Sequence, residues 1–347
     1  MTAEPVPVTP SQSRTIVRDS LDHLAQLVQP GGRFIYSHEA GDITKVNEGY
    51  NLLRHCGTLW FMARAVNETA GAPTPEVLGA MRRATGFLGR KLEPTPWAAP
   101  DRPSLALVGK GLVKLGGLGL GLLALSELRK VSALQDFAPA SMPLGLEETA
   151  TRMRRYALDE IEGDDFRHKR DFATGEVHSF RSDYYTGEAI FGLLMTGEAT
   201  EDLARVTVSL MRRGYGFAQQ SHWMAYAACE AVERGVVPEA LGSAYLTGLM
   251  EAILKDPMYR YRRQSTPIAC RSEALTRVLM LARTRPGLLS GDILAQVRAH
   301  AAENLILQLD WYKDGQFWKG DDARSVQIDY IQHNATAFLQ WALLEEA

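Results

Sequence analysis

A chain of 347 residues, 46% of them hydrophobic, has ample material for a sizeable core. Its net charge of -3 and pI near 6.3 argue against a general nucleic-acid binder. The three cysteines, Cys56, Cys229 and Cys270, are far apart and form no CxxC pair, so neither a disulfide framework nor a thiolate zinc site is suggested.

The start, MTAEPVPVTPSQS, has no basic beginning and no apolar centre, so it does not read as a secretory signal. Residues 1–12 are expected to be a disordered or extended tail. Ser13 to Gln29 carries Ile16, Val17, Leu21, Leu24, Leu27 and Val28 at helical spacing, and Pro30-Gly31-Gly32 ends it. A loop, RFIYSHEAGDITKV, leads into Asn47 to Val66, a helix with a polar first half and an apolar second half. Asn51, Arg54 and His55 are expected on one face of it. Thr74-Pro75-Glu76 opens an amphipathic helix to Lys91, and a Pro-rich loop follows. A second apolar helix, predicted from Gly111, contains Leu115 to Leu125. That run is too short to span a bilayer and is flanked by Lys114 and Glu127.

The alternation continues. Glu147 to Glu160 is amphipathic, and Asp164 to Ser182 reads as a hairpin turning near Thr174-Gly175. A buried helix starts at Ser182-Asp183. Glu201 to Arg213 is amphipathic, Gln219 to Glu233 buried, Pro238 to Leu254 amphipathic and Ser265 to Arg283 buried. Ser290 starts an amphipathic helix to about Leu309, a short hairpin turns at Asp314-Gly315, and a buried helix closes the chain.

Six amphipathic helices thus alternate with six buried ones. The pattern predicts an all-α chain, an (α/α)6 toroid of six inner and six outer helices over 13–347 as a single domain, with one or two short β-hairpins on the rim. Four glycines in one inner helix, Gly116, Gly117, Gly119 and Gly121, imply close packing, because each costs roughly 1 kcal/mol against Ala in an open helix.

Polar residues gather at the starts of the inner helices. Glu188, Glu273, Asp329, His55 and His333 are the candidate catalytic groups, since carboxylates and imidazoles can exchange protons near neutral pH. Tyr50, Asn51, Arg54, Lys114, Tyr184, Tyr185, His222, Trp223, Arg271 and Gln332 are candidate substrate contacts. Carboxylates bond hydroxyls, aromatic faces cover a sugar ring, and the cations suit an anionic group. Structural ion pairs, satisfied core histidines and helix caps are the competing readings of the same residues. Cys56 and Cys270 read as core fillers. No HxxxH, HExxH, GxxxxGK[ST] or post-strand GxGxxG occurs, so no metal and no cofactor is expected.

The phrases YNLLRHCGTLW, SDYYTGEAIFGLL and IDYIQHNATAFL resemble those of bacterial (α/α)-toroid proteins. In layout the chain resembles toroid enzymes of glycan metabolism: unsaturated glucuronyl hydrolases, N-acylglucosamine 2-epimerases and the helical domain of glucuronyl C5-epimerases. The resemblance implies an enzyme acting on a sugar or uronate by hydrolysis, epimerisation or elimination, on a small-molecule or oligosaccharide substrate, without nucleic acid or membrane. A soluble, cytoplasmic location is expected. A natural-product cyclase on the same ring, which a mainly aromatic mouth would favour, is one alternative. A non-catalytic binding or scaffold protein, with its polar groups paired off internally, is the other.

Overall fold

The computed structural model describes residues 7–69 and 72–346; the first half of the expected N-terminal tail, 1–6, lies outside them. Regular structure begins earlier than expected, because Pro10 occupies the first turn of α1 (Pro10–Leu27) and the Thr9 hydroxyl accepts from the Gln12 N–H. The helices that follow are α2 (Leu52–Glu68), α3 (Pro75–Gly89), α4 (Leu115–Leu128), α5 (Gly145–Asp159), α6 (Tyr185–Met195) and α7 (Glu201–Arg212). After them come α8 (His222–Glu233), α9 (Glu239–Lys255), the one-turn α10 (Met258–Tyr261), α11 (Ser265–Thr284), α12 (Gly291–Gln308) and α13 (Ile328–Glu346).

Six of these form a closed inner ring. α2 packs on α4, α4 on α6, α6 on α8, α8 on α11, α11 on α13, and α13 returns to α2. Behind them lie amphipathic partners: α3 against α2, α5 against α4, α9 against α8, α12 against α11 and α1 against α13. The fold is the all-helical (α/α)6 toroid that the alternation predicts. Every residue of α4 is buried, and its glycines explain how. A Cβ on Gly119 would lie 2.4 Å from the Glu188 carbonyl oxygen, and one on Gly192 would lie 2.4 Å from that of Gly119. The α4 and α6 backbones therefore touch, which only glycine permits.

The rim carries more strand than the sequence suggests. The strands are β1 (Ser37–Glu39), β2 (Asp42–Val46), β3 (Leu92–Pro94), β4 (Leu105–Gly109), β5 (Leu112–Lys114), β6 (Ile161–Glu162), β7 (Asp165–Phe166), β8 (Lys169–Asp171), β9 (Tyr312–Lys313), β10 (Gln316–Gly320) and β11 (Ala323–Gln327). They make sheets of order β2-β1-β11-β10-β9, β3-β4-β5-β8 and β6-β7, all antiparallel. The Asp314-Gly315 turn forms as expected, with positive φ at both residues. The start of the second inner helix moves from Gly111 to Leu115. Lys110 and Gly111 both take positive φ and turn the chain into β5, which pairs with β8. Strands of two to five residues show too little alternation to be read from sequence.

At the C-terminal ends of the inner helices, charges meet. Arg64 bonds Glu68 at 2.9 Å, Lys130 bonds Glu127 at 2.7 Å, and Arg277 reaches Glu230 and Glu233 around one small recess. Ion pairs thus occupy that end of the ring. No helix among the described residues is long and apolar enough to cross a membrane.

Candidate active site

The N-terminal halves of α6, α8, α11 and α13 converge because the ring brings those ends to one side. Buried polar groups there need partners, and most find them in one another. At the centre, His333 Nδ1 lies 2.6 Å from Glu273 Oε1. Glu273 Oε2 accepts from the Tyr226 hydroxyl at 2.7 Å, and Gln340 donates to that same hydroxyl. Glu273 is fully buried and held from both sides. Burial alone would strip the proton from His333, but the adjacent Cys270 sulfur and Glu273 carboxylate outweigh it and raise its pKa well above the usual value.

His222, the first residue of α8, meets the His333 ring edge-on with centroids 5.1 Å apart. Its pKa is driven well below normal, first by burial and then by the positive His333 and Arg271. Its Nε2 is buried and has no partner. Trp223 packs on both imidazoles, at 4.8 Å from His222 and 6.1 Å from His333. Tyr184, 44% exposed, lies 6.4 Å from His222, ring centroid to ring centroid.

Two further carboxyls face this group. Glu188 is buried, its Oε2 lacks a partner, and burial raises its pKa to about 8 against the lowering effect of His333. A Cβ on Gly116 would lie 2.1 Å from that oxygen, so the glycine makes its space. Asp329 accepts from Arg54 Nε at 3.0 Å, while its Oδ1 is unpaired. Burial raises its pKa, and Arg54 and His333 oppose the rise. Arg54 also donates to the Tyr36 hydroxyl and, at 2.8 Å, to Gln327 Oε1. Arg271 is held by Gln220 Oε1 at 3.0 Å and the Gln219 carbonyl at 3.1 Å, over the Tyr259 ring. Gln332 is buried beside His333 and against Gly57, and Tyr185 is buried against Gly116.

The remaining candidates lie apart. Asn51 is not one helical turn below Arg54 and His55 on a shared face. It precedes the helix and caps it, accepting from the Leu53 N–H at 3.0 Å. His55 turns away from Arg54 into an aromatic cluster with Phe34 and Phe87. The Tyr50 hydroxyl donates to its Nδ1 at 2.6 Å, and its Nε2–H donates to the Ala84 carbonyl at 3.1 Å. Burial lowers its pKa to about 4, with the Ala84 bond opposing, so it is a neutral histidine with both nitrogens engaged. Tyr50, Asn51 and Lys114 line a different cavity, of about 390 Å³, between α2, α4 and the β3-β4-β5-β8 sheet.

Sequence reasoning missed Tyr226 and Gln340, which fix Glu273. Both were findable: Tyr226 follows His222 by four residues and Gln340 follows His333 by seven, each on the same helix face. Cys270, read as core filler, also belongs to the group. The ligand atoms of His222, Cys270, Glu273 and His333 all lie within 4.8 Å of one another, a donor set that could hold a zinc-class ion. No metal motif shows it, because the four residues come from three helices.

No family model matches the sequence, and no curated protein matches it either. Among solved structures, the fold is similar to that of a D-mannose isomerase, with a TM-score of 0.67 and 11% identity over 100% of both chains. It is also similar to a GH76 alpha-mannanase of Bacteroides thetaiotaomicron, with a TM-score of 0.59 and 9% identity over 95% of each chain. At such identities the likeness is one of fold.

Proposed function

We propose that this protein is a sugar isomerase or epimerase that moves a proton at the carbon beside the carbonyl of a hexose. The observation that carries the reading is the His222–His333 pair. Two imidazoles in contact are pushed to opposite protonation states, one by burial and one by its Cys270 and Glu273 neighbours. Such a pair assigns base and acid.

His222 Nε2, with a free lone pair, takes the proton from the hydroxyl-bearing carbon. The C–H electrons become the C=C bond of an enediol, and the carbonyl π pair takes a proton from His333. In the return step His222 gives its proton to the former carbonyl carbon, and the neighbouring hydroxyl gives its proton to His333. An aldose becomes a ketose with atoms and electrons balanced. If the enediol turns its other face to His222 before that proton returns to the original carbon, and the C1 hydroxyl gives its proton back to His333, an epimer forms instead. Glu273 orients the His333 ring through its 2.6 Å contact, and Tyr226 orients Glu273. Glu188, neutral below about pH 8, can donate to a sugar hydroxyl. Each proton-transfer role is worth roughly 10²- to 10⁴-fold in rate. The D-mannose isomerase fold over the full chain length supports a monosaccharide substrate.

Glycoside hydrolysis is the second reading, favoured by the three buried carboxyls and the mannanase likeness. It needs two carboxyl groups facing one glycosidic bond. Glu273 is already committed to His333 and Tyr226, and Asp329 to Arg54, which favours the histidine chemistry. The unpartnered atoms of His222, Glu188 and Asp329 also count against a scaffold whose polar groups are paired off.

The test is incubation with D-mannose, D-glucose and D-fructose in D₂O, followed by proton NMR. Deuterium entering at C1 or C2, with interconversion of the sugars, is expected. No exchange in any of the three, with cleavage of mannosides instead, overturns the isomerase reading in favour of hydrolysis.

A further inference from the structure

The 390 Å³ cavity between α2, α4 and the rim sheet plays no part in the chemistry above, and its lining is unusual. It contains four cationic side chains, Arg33, Lys91, Lys110 and Lys114, and no carboxylate, in a chain whose net charge is -3. The lysines that form ion pairs among the described residues are Lys45, Lys130 and Lys255, none of them here. Arg33 and Lys91 rest instead on aromatic faces, at 4.3 Å from the Tyr50 centroid and 5.6 Å from that of Phe87. The body of the cavity is apolar, with leucines from α2, β4 and β5.

The backbone adds to the same field. Asn51 and Lys114, the residues that precede α2 and α4, both line the cavity, so the positive ends of two long helices face it. The Lys114 side chain makes no cap bond to its own helix. Lys110 is held at the rim in a left-handed backbone conformation, φ 54°, that a lysine rarely takes.

From this convergence of cations, helix N-termini and apolar wall we infer that the cavity is a second binding site, for a small organic anion bearing a phosphate or carboxylate on an apolar body. The cationic rim takes the anionic group and the leucines take the body. The site is separate from the histidine pair but shares walls with it. Gly117 lines the cavity, while the adjacent Gly116 abuts the Glu188 carboxyl; Leu53 lines it, while the adjacent Arg54 holds Asp329.

Calorimetric titration with phenyl phosphate tests the inference, with benzyl alcohol and inorganic phosphate as single-feature controls. Saturable binding of phenyl phosphate, at least tenfold tighter than either control, is expected. It should weaken at least tenfold in Lys91→Glu/Lys110→Glu, two partly or fully solvent-exposed positions, and weaken with added salt. A melting curve equal to wild type establishes that the double variant is folded. Absence of saturable binding, or equal binding by the double variant, overturns the inference. Neither result bears on deuterium exchange in hexoses, so the two proposals fail independently.

Discussion

The rings of His222 and His333 meet edge-on with centroids 5.1 Å apart, yet they are driven to opposite charge states. Nothing in the α8 sequence distinguishes His222 from a core histidine. Its state follows from what surrounds it: a buried, unpartnered Nε2 beside a neighbour whose proton is held by a carboxylate.

Replacing His222 with Leu removes the base and also removes a buried nitrogen with no hydrogen-bond partner. A buried unsatisfied group costs roughly 1–3 kcal/mol. Turnover of the responsive hexose is expected to fall at least about 100-fold while the melting temperature holds or rises. Retained turnover removes His222 from the chemistry.

Glu273→Gln keeps the shape and the Tyr226 contact but removes the charge that supports the His333 proton. The His333 pKa in the folded protein is raised, so activity that needs its imidazolium is lost as pH rises through that value. In Glu273→Gln the loss should occur at lower pH, and turnover at neutral pH should drop. A pH–rate profile with an unmoved alkaline limb contradicts the role of the Glu273 charge in holding the His333 proton.

Glu188 gives a prediction on stability. Its folded pKa, about 8, lies above the ordinary carboxyl value of 4.5. The folded state is therefore favoured below the lower value, and the advantage is lost as pH rises towards the higher one. Glu188→Gln cannot ionise, so it should gain stability over wild type on going from pH 5 to pH 8, by up to roughly 3–5 kcal/mol. Denaturant unfolding at the two pH values measures it; a difference independent of pH contradicts the buried, neutral acid.

The glycine packing makes two substitutions of one kind diverge. Gly119→Ala drives a methyl to 2.4 Å from the Glu188 backbone and should destabilise by roughly 1–3 kcal/mol. Gly79→Ala, in the outer helix α3, meets only the end of Arg83 at 3.4 Å and should stabilise by roughly 0.5–1 kcal/mol. Equal melting shifts in the two variants contradict the close α4–α6 contact.

The ring was legible because its signal is long. Six helices buried on all sides alternate with six amphipathic ones, each over ten residues or more. The convergence of Glu188, Asp329 and His333 was legible because they sit in the first two turns of inner helices; Glu273, expected at a helix start, lies more than two turns into α11 and joins them from deeper in the ring. Face and partner were not legible. Arg54 and His55 are neighbours in sequence, but consecutive helical residues point about 100° apart, and one turns to Asp329 while the other turns to Tyr50 and Ala84. Cys270 read as filler because its neighbours His222 and His333 are supplied by other helices. Short strands such as β5 are set by turn geometry and pairing across the fold, neither of which shows as periodicity.

The donor quartet allows a check on the mechanism itself. Dialysis against a strong chelator should leave hexose turnover unchanged, since the proton steps use only side chains. Loss of turnover restored by zinc(II) would assign His222, Cys270, Glu273 and His333 to a metal.

The most direct measurement is the nitrogen-15 NMR spectrum of histidine-labelled protein at pH 7, with His222 and His333 assigned by single substitution. Two protonated nitrogens on His333 and one bare nitrogen on His222 are predicted. A neutral His333, or a charged His222, contradicts the acid–base pair on which the proposed reaction rests.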